Sequence, residues 1–160
     1  MPEKVTPIPE GFHTITPHLT VRDATKAIEF YKSAFGAEAL GVVPGPGGKV
    51  MHALLKIGDS MLMLVDEFPE WHCLSPLALG GTGVTLHIYI EDVDAAFARA
   101  VSAGAHATMP VMDAFWGDRY GQVTDPFGHK WSLATRKQIL TPDEVAKAQE
   151  EAFAKMPKSA

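Results

Sequence analysis

Residues 84–105, VTLHIYIEDVDAAFARAVSAGA, give the clearest indication of the fold, because the chain contains an earlier version of this segment. That version, residues 16–37, reads TPHLTVRDATKAIEFYKSAFGA. An offset of 69 positions (87 − 18) aligns several pairs of identical residues. They include His18 with His87, Asp23 with Asp92, Ala27 with Ala96, Ser33 with Ser102, and Ala34 with Ala103. The repeat predicts two copies of one structural unit, each with a histidine on its first strand.

Each copy has the pattern of a strand followed by a capped helix. Segments 15–21 and 84–90 have strand character, and an aspartate follows each of them at the helix N-cap position. Apolar residues then recur at helical spacing until a glycine ends the helix. Further strands are predicted at 39–43, 50–57, 60–65, 105–111, 120–124 and 129–135. We therefore predict an N-terminal arm (1–11), a first module (12–66), a linker (67–83), a second module (84–136) and a C-terminal helix (137–160).

The composition excludes several classes of function. The 160 residues are 46% hydrophobic and 21% charged, as in ordinary globular domains. A net charge of −5 argues against nucleic-acid binding, which usually needs a basic surface. No apolar run approaches the roughly 20 residues of a membrane span, and the N-terminus lacks the pattern of a secretory signal. With Cys73 as the single cysteine, we expect a cytoplasmic protein with no membrane or nucleic-acid partner.

Four segments in this order resemble the vicinal oxygen chelate superfamily, which includes glyoxalase I, extradiol dioxygenases and bleomycin-resistance proteins. Within it, the PhnB-like group is the most similar. The segments are AIEFYKSAFGAE, HALLKIGDSMLML, LHIYIEDVDAAFARAVSAGA and FWGDRYGQVTDPFGHKWSLAT. The resemblance implies an α+β fold in which two βαβββ modules form a U-shaped mixed sheet around a cavity, with the helices outside. It also implies a homodimer, since dimers are common in this superfamily.

The resemblance further implies where a divalent metal would bind. Superfamily enzymes take one ligand from the first strand of each module and a glutamate from each last strand. The first-strand positions are His18 and His87, which are suitable metal ligands. The second glutamate position is Ser132, and the first falls on Met63, or on Leu62 if the register differs by one residue. The metal set is therefore incomplete, and the alternative is that both histidines line a ligand cavity.

Other candidate ligand-binding residues each have a structural alternative. His52 lies on a strand whose alternate residues could face the cavity, or it is an edge or core histidine. Trp116 forms a pocket wall or packs in the core. Arg119 contacts an anionic group of a ligand, or it fixes a loop through carbonyl or carboxylate groups. His129 follows the turn at 125–128, where a histidine is usually structural, since its imidazole can satisfy carbonyl groups of the turn.

Two functions from different classes fit these patterns. The first is a protein that binds a small molecule between its modules without a complete metal site. The second is a divalent-metal-dependent lyase, isomerase or dioxygenase that uses His18 and His87 as ligands. A glyoxalase-type lyase or an extradiol-type dioxygenase would be the enzyme in question, and its cofactor would be the metal ion. A third possibility is a dimeric scaffold with no small ligand.

Overall fold

The computed structural model describes residues 4–158 and contains two four-stranded sheets. The first module consists of β1 (His18–Val21), α1 (Ala24–Phe35), β2 (Glu38–Pro44), β3 (Val50–Ile57) and β4 (Ser60–Asp66). A short helix, α2 (Pro76–Leu79), follows. The second module consists of β5 (Thr85–Tyr89), α3 (Val93–Ala103), β6 (His106–Asp113), β7 (Asp118–Thr124) and β8 (Lys130–Arg136). The last helix is α4 (Pro142–Ala154).

The two sheets have the same topology. The strand order is β1-β4-β3-β2 in the first sheet and β5-β8-β7-β6 in the second. The first strand of each module pairs in parallel with the last, and every other pairing is antiparallel. The prediction of an α+β fold built from two βαβββ modules is confirmed.

The helices begin where the sequence repeat places them. Asp23 accepts a hydrogen bond from the backbone amide of Lys26 (3.1 Å), and Asp92 does the same for Ala95 (3.0 Å). Each cap satisfies an amide that has no partner within the helix. Helix α4 begins with a capping box, in which Thr141 and Glu144 are bonded to each other's backbone amides.

The last strand of each module fixes the start of the module's helix. The Asp66 carboxylate accepts the amides of Ala24 (2.8 Å) and Val50 (2.7 Å). At the equivalent place in the second module, the hydroxyl of Thr135 accepts the amide of Val93 (2.9 Å). The repeat therefore preserves the position of this anchor while its chemistry differs between the modules.

The helix-bearing faces of both sheets build one hydrophobic core. Helix α1 packs on the first sheet, α3 packs on the second, and the two helices pack against each other. The ring of Trp131, in the second module, lies 4.6 Å from Phe35 and 5.5 Å from Tyr31 of the first, measured between centroids. Aromatic side chains bury large apolar areas, so this contact contributes strongly to holding the modules together.

A buried carboxylate, Asp125, joins the modules at this boundary. Its Oδ2 accepts the Tyr31 hydroxyl (2.6 Å) and the Trp131 indole N–H (2.9 Å). Its Oδ1 accepts the amides of Phe127 and His129, both at 2.9 Å. Burial and the adjacent carboxylate raise the pKa of Tyr31 well above its ordinary value, so the phenol stays protonated as a donor.

Two segments differ from the sequence prediction. The first strand begins at His18 rather than at residue 15, because Pro17 has no amide hydrogen for the sheet. The carbonyl of Pro17 still accepts the amide of Met63 at 2.9 Å. The segment predicted as an irregular linker contains α2 and one isolated bridge between Phe68 and Cys73.

Among residues 4–158, no helix has both the length and the hydrophobicity that crossing a bilayer requires. The proposed module and linker boundaries stay a prediction.

Replacing Asp125 with alanine would leave four donors at the module boundary without their acceptor. We expect Asp125→Ala to lower the free energy of unfolding by about 3–5 kcal/mol, as is typical when one member of a buried charged network is removed. The control is Asp59→Ala, an exposed aspartate in the β3–β4 turn, which should change stability by less than about 0.5 kcal/mol. Urea denaturation followed by circular dichroism measures both, and equal stability of the two variants would contradict the role of Asp125.

Candidate ligand-binding site

The two first-strand histidines lie on sheet faces that point away from the shared core. In β1 the side chains of Leu19 and Val21 enter the core, so His18 points to the opposite face. In β5 the residues on either side of His87 pack against the core, and His87 is exposed on the other face. We call these surfaces the first outer face, which carries His18, and the second outer face, which carries His87.

The first outer face brings together two histidines. The rings of His18 and His52 lie 5.8 Å apart between centroids and are nearly perpendicular. Partial burial lowers the pKa of His18, and the nearby His52 ring lowers it further. The β1–β4 register pairs His18 with Met63. Met63, rather than Leu62, therefore occupies the position at which the family resemblance implies a glutamate.

The second outer face combines His87 with hydroxyl, amide and phenol groups. His87 Nδ1 and the Ser132 hydroxyl share a hydrogen bond of 2.7 Å. The His87 ring lies 4.6 Å from that of Tyr89 and is stacked 6.0 Å from that of Tyr120. The side-chain amide of Gln122 donates to the Tyr120 hydroxyl at 2.7 Å. His87, Ser132 and Gln122 lie side by side on three adjacent strands.

A buried carboxylate orients two aromatic rings at the edge of this face. Asp118 is buried, and its Oδ2 accepts the Trp116 indole N–H (2.9 Å) and the Tyr89 hydroxyl (3.2 Å). The Trp116 ring also meets Tyr120 edge to face, with centroids 5.2 Å apart. Partial burial and the Asp118 carboxylate raise the pKa of Tyr89. Trp116 is thus held in place while remaining partly exposed.

Two cavities open beside the second outer face. The larger, about 840 Å³, lies between the modules and is lined by the β3–β4 turn, by β5 and by Phe35 and Trp131. His87 and Tyr89 belong to its wall. The second, about 740 Å³, also includes Tyr89 and extends to Trp116 and Asp118. Both volumes are in the range of small-molecule sites.

The guanidinium group of Arg119 is hydrogen-bonded to two carboxylates of the protein itself. Its Nε and Nη2 form a bidentate pair with Asp94 (2.6 and 2.8 Å), and Nη1 donates to Asp113 (3.1 Å). Hydrogen bonds from Arg119 lower the pKa of Asp94. This arrangement ties β7 to the first turn of α3 and matches the structural alternative for Arg119.

His129 also has a structural contact, but not the one expected from its turn. Its Nε2 donates to the carbonyl oxygen of Thr20, in the first module, at 2.9 Å. The structural role is thus as expected, but the ring reaches a carbonyl group across the module boundary rather than one in its own turn.

The structure does not assemble the metal site that the family resemblance implies. It brings His18 to His52 and His87 to Ser132, and the cleft that includes His87 does not include His18. Within residues 4–158, no group of three or more His, Cys, Asp or Glu side chains is arranged to hold a metal ion. The residues of one chain therefore do not fit the metal site of the family's enzymes, and no chemical step is assigned to such a metal.

Comparison with known proteins identifies the family. The model of the Glyoxalase/Bleomycin resistance protein/Dioxygenase superfamily matches residues 11–133, and the chain belongs to this superfamily. An uncharacterized protein of Mycobacterium tuberculosis (strain H37Rv) is 48% identical over 137 residues, which cover 84% of this chain and 81% of that protein.

Solved structures show the same fold. The Arabidopsis thaliana At5g48480 gene product has a TM-score of 0.62 and 34% identity, covering 77% of this chain and 98% of the other. A Bacillus cereus structure described as PhnB protein has a TM-score of 0.59 and 21% identity, covering 77% and 99%. The resemblance to the superfamily is confirmed by the family model, and the Bacillus cereus structure shows that a protein described as PhnB has the same fold.

Sequence reasoning missed three side chains of the second outer face, namely Tyr89, Tyr120 and Gln122. Tyr89 could have been found, because it lies two residues after His87 and so points to the same side of the strand. Tyr120 and Gln122 depend on the register of β7 against β8, which the sequence did not specify.

The lowered pKa of His18 leads to a testable pH dependence. His18 binds a proton less readily in the folded protein than in the unfolded chain, where its pKa has the ordinary value of 6.5. Its contribution to stability is therefore present above pH 6.5 and is lost as the pH falls through the folded-state pKa. In an NMR titration, we expect the His18 pKa below 6.5 in the wild type and closer to 6.5 in His52→Gln. A His18 pKa at or above 6.5 in the wild type would contradict this interpretation.

Proposed function

We propose that the protein binds a small, flat molecule at the second outer face and in the cleft between its modules, without the metal site of the family's enzymes. The observation that carries the proposal is the environment of His87. Its imidazole bonds to Ser132, rather than to an acid, and is surrounded by the rings of Tyr89 and Tyr120. Bleomycin resistance proteins are part of the family to which the chain belongs.

The lining of the cleft suggests how such a ligand would be held. Leu86, Ile88 and Ile90, which are half-buried, supply apolar surface, while His87 and Tyr89 supply polar groups. A few polar groups within an apolar wall are typical of small-molecule sites, where they fix the ligand's orientation. A flat ring would gain from stacking on exposed aromatic faces such as that of Tyr89.

The metal-dependent enzyme is the second candidate, and one observation keeps it open. His18 and His87 occupy equivalent positions and both point outward, so a second copy of the chain could bring its His87 towards His18. Two imidazoles without a carboxylate would still form a weak site for a hard divalent cation. This candidate would require the metal for binding or turnover.

We further propose that the protein is a homodimer, in the cytoplasm. Hydrophobic side chains are exposed on both sheets, including Val42 and Val43 on β2 and Met112 on β6. A second copy that placed its second outer face opposite the first outer face would cover several of them. It would also enclose the ligand from a second side. The single cysteine is consistent with a reducing compartment.

Ligand binding can be tested with a panel of quinoline, indole and naphthalene amides and carboxylates, by thermal shift and then by calorimetry. We expect at least one compound to raise the melting temperature, in the presence of EDTA as in its absence. Its affinity should fall at least about tenfold, or about 1.4 kcal/mol, in His87→Ala and in Tyr89→Ala.

The matched control for these variants is Trp71→Ala, which removes an exposed aromatic ring that packs on Phe68, away from the cleft. Its affinity should equal that of the wild type. Loss of binding on addition of EDTA would favour the metal-dependent alternative. Failure of the whole panel, or equal effects of Trp71→Ala and Tyr89→Ala, would contradict the proposed site.

The dimer is tested by placing a charge on the first outer face. Val43 is 52% exposed and lies beside His52 in the β2–β3 register. We expect Val43→Asp to shift the protein from dimer to monomer in analytical ultracentrifugation, because a carboxylate would be buried without a partner. The control Ile139→Asp, at a residue 82% exposed outside both sheets, should remain dimeric. A wild-type protein that sediments as a monomer at high micromolar concentration would refute the dimer.

A further inference from the structure

We propose that the first outer face binds a soft transition metal, with monovalent copper as the best match, through His18, His52 and Met63. The geometry of the two imidazoles is the first reason. Their centroids are 5.8 Å apart. With metal–nitrogen bonds of about 2.0–2.1 Å, two imidazoles on one ion have centroids roughly 5–6.5 Å apart. The rings of His18 and His52 are therefore already at the separation that a shared ion requires.

The strand between the two histidines carries a residue with a sulfur donor. His18 is on β1 and His52 on β3, and β4 lies between these strands. Neighbouring strands are about 4.8 Å apart, so the two rings meet by leaning over β4. Met63 is the β4 residue paired with His18, and it shares the outer face. Its thioether is thus carried by β4, the strand that lies between the strands of the two imidazoles.

The donor types on this face select for a soft ion. Two rows of paired residues cross the first sheet through the histidines, and neither row contains a carboxylate. One row consists of His18, Met63, Leu54 and Gly41. The other consists of Thr20, Val65, His52 and Val43. Imidazole and thioether ligands suit copper, whereas calcium and magnesium require oxygen ligands. This set differs from the family-type set, since all three of its ligands come from the first module and it does not use His87.

The two imidazoles are also free to coordinate. Within the part of the chain that the structure describes, neither His18 nor His52 forms a side-chain hydrogen bond, whereas His87 is bonded to Ser132 and His129 to Thr20. A metal ligand must offer a nitrogen lone pair, which a hydrogen bond from a donor would occupy. The pair on the first outer face therefore differs from the histidines with assigned structural contacts.

In any test, copper binding by a cysteine near this face must be distinguished from copper binding by the proposed ligands. Cys73 Sγ lies 3.3 Å from the hydroxyl of Thr20, which is on the same face of β1 as His18. A thiolate alone binds monovalent copper tightly. All variants are therefore made in the full-length Cys73→Ser protein, and circular dichroism confirms that each is folded.

The experiment is an anaerobic titration of monovalent copper into each protein in competition with bicinchoninate, whose copper complex is coloured. We expect Cys73→Ser to retain one bound copper per chain. Affinity should fall at least about tenfold on adding His18→Ala, His52→Ala or Met63→Leu. The added controls His72→Ala and His87→Ala should leave the affinity unchanged.

Three results would overturn the proposal. They are loss of copper in Cys73→Ser alone, unchanged affinity in His52→Ala or Met63→Leu, and an equal loss in His87→Ala. None of these results bears on the small-molecule site at the second outer face, because the aromatic compounds are tested with EDTA present.

Discussion

The buried Asp125 carboxylate is the contact on which the arrangement of the molecule depends. It accepts hydrogen bonds from Tyr31 of the first module and Trp131 of the second, at the centre of the aromatic cluster they share. Because of this cluster, the helix-bearing faces of both sheets are buried in a common core. The outer face of each sheet then stays accessible to a ligand, and it is this face that carries the first-strand histidine.

The repeated unit has diverged at its ligand-facing positions while its framework has been kept. His18 and His87 are equivalent, but the residue beside the first is Met63 and the residue beside the second is Ser132. The first outer face consequently offers nitrogen and sulfur donors, and the second offers hydroxyl groups and aromatic rings. One fold thus presents two surfaces of different chemistry, and neither has the carboxylates that the resemblance implies for a hard divalent metal.

The sequence predicted the framework well because the framework is local. The repeat, the aspartate caps and the apolar spacing all act within a few residues, and both modules were predicted from them. The contacts between modules were out of reach, since Tyr31 and Asp125 are 94 residues apart and the turn motif indicates only a local role for Asp125. For the same reason the sequence leads to the expectation that His18 and His87 face one shared cavity. Strand alternation shows on which face of its own sheet a side chain lies, but it does not show how two sheets are oriented relative to each other.

A shared core requires that the two modules unfold as one unit, and this can be measured directly. Urea unfolding should be followed in a variant whose exposed Trp71 and Trp116 are replaced by phenylalanine, so that tryptophan fluorescence reports the buried Trp131. Far-ultraviolet circular dichroism of the same protein reports both modules. A shared core predicts coincident transitions with a single midpoint. Two separate midpoints would show that each module has its own core, and would contradict the argument that a common core turns both histidine-bearing faces outward.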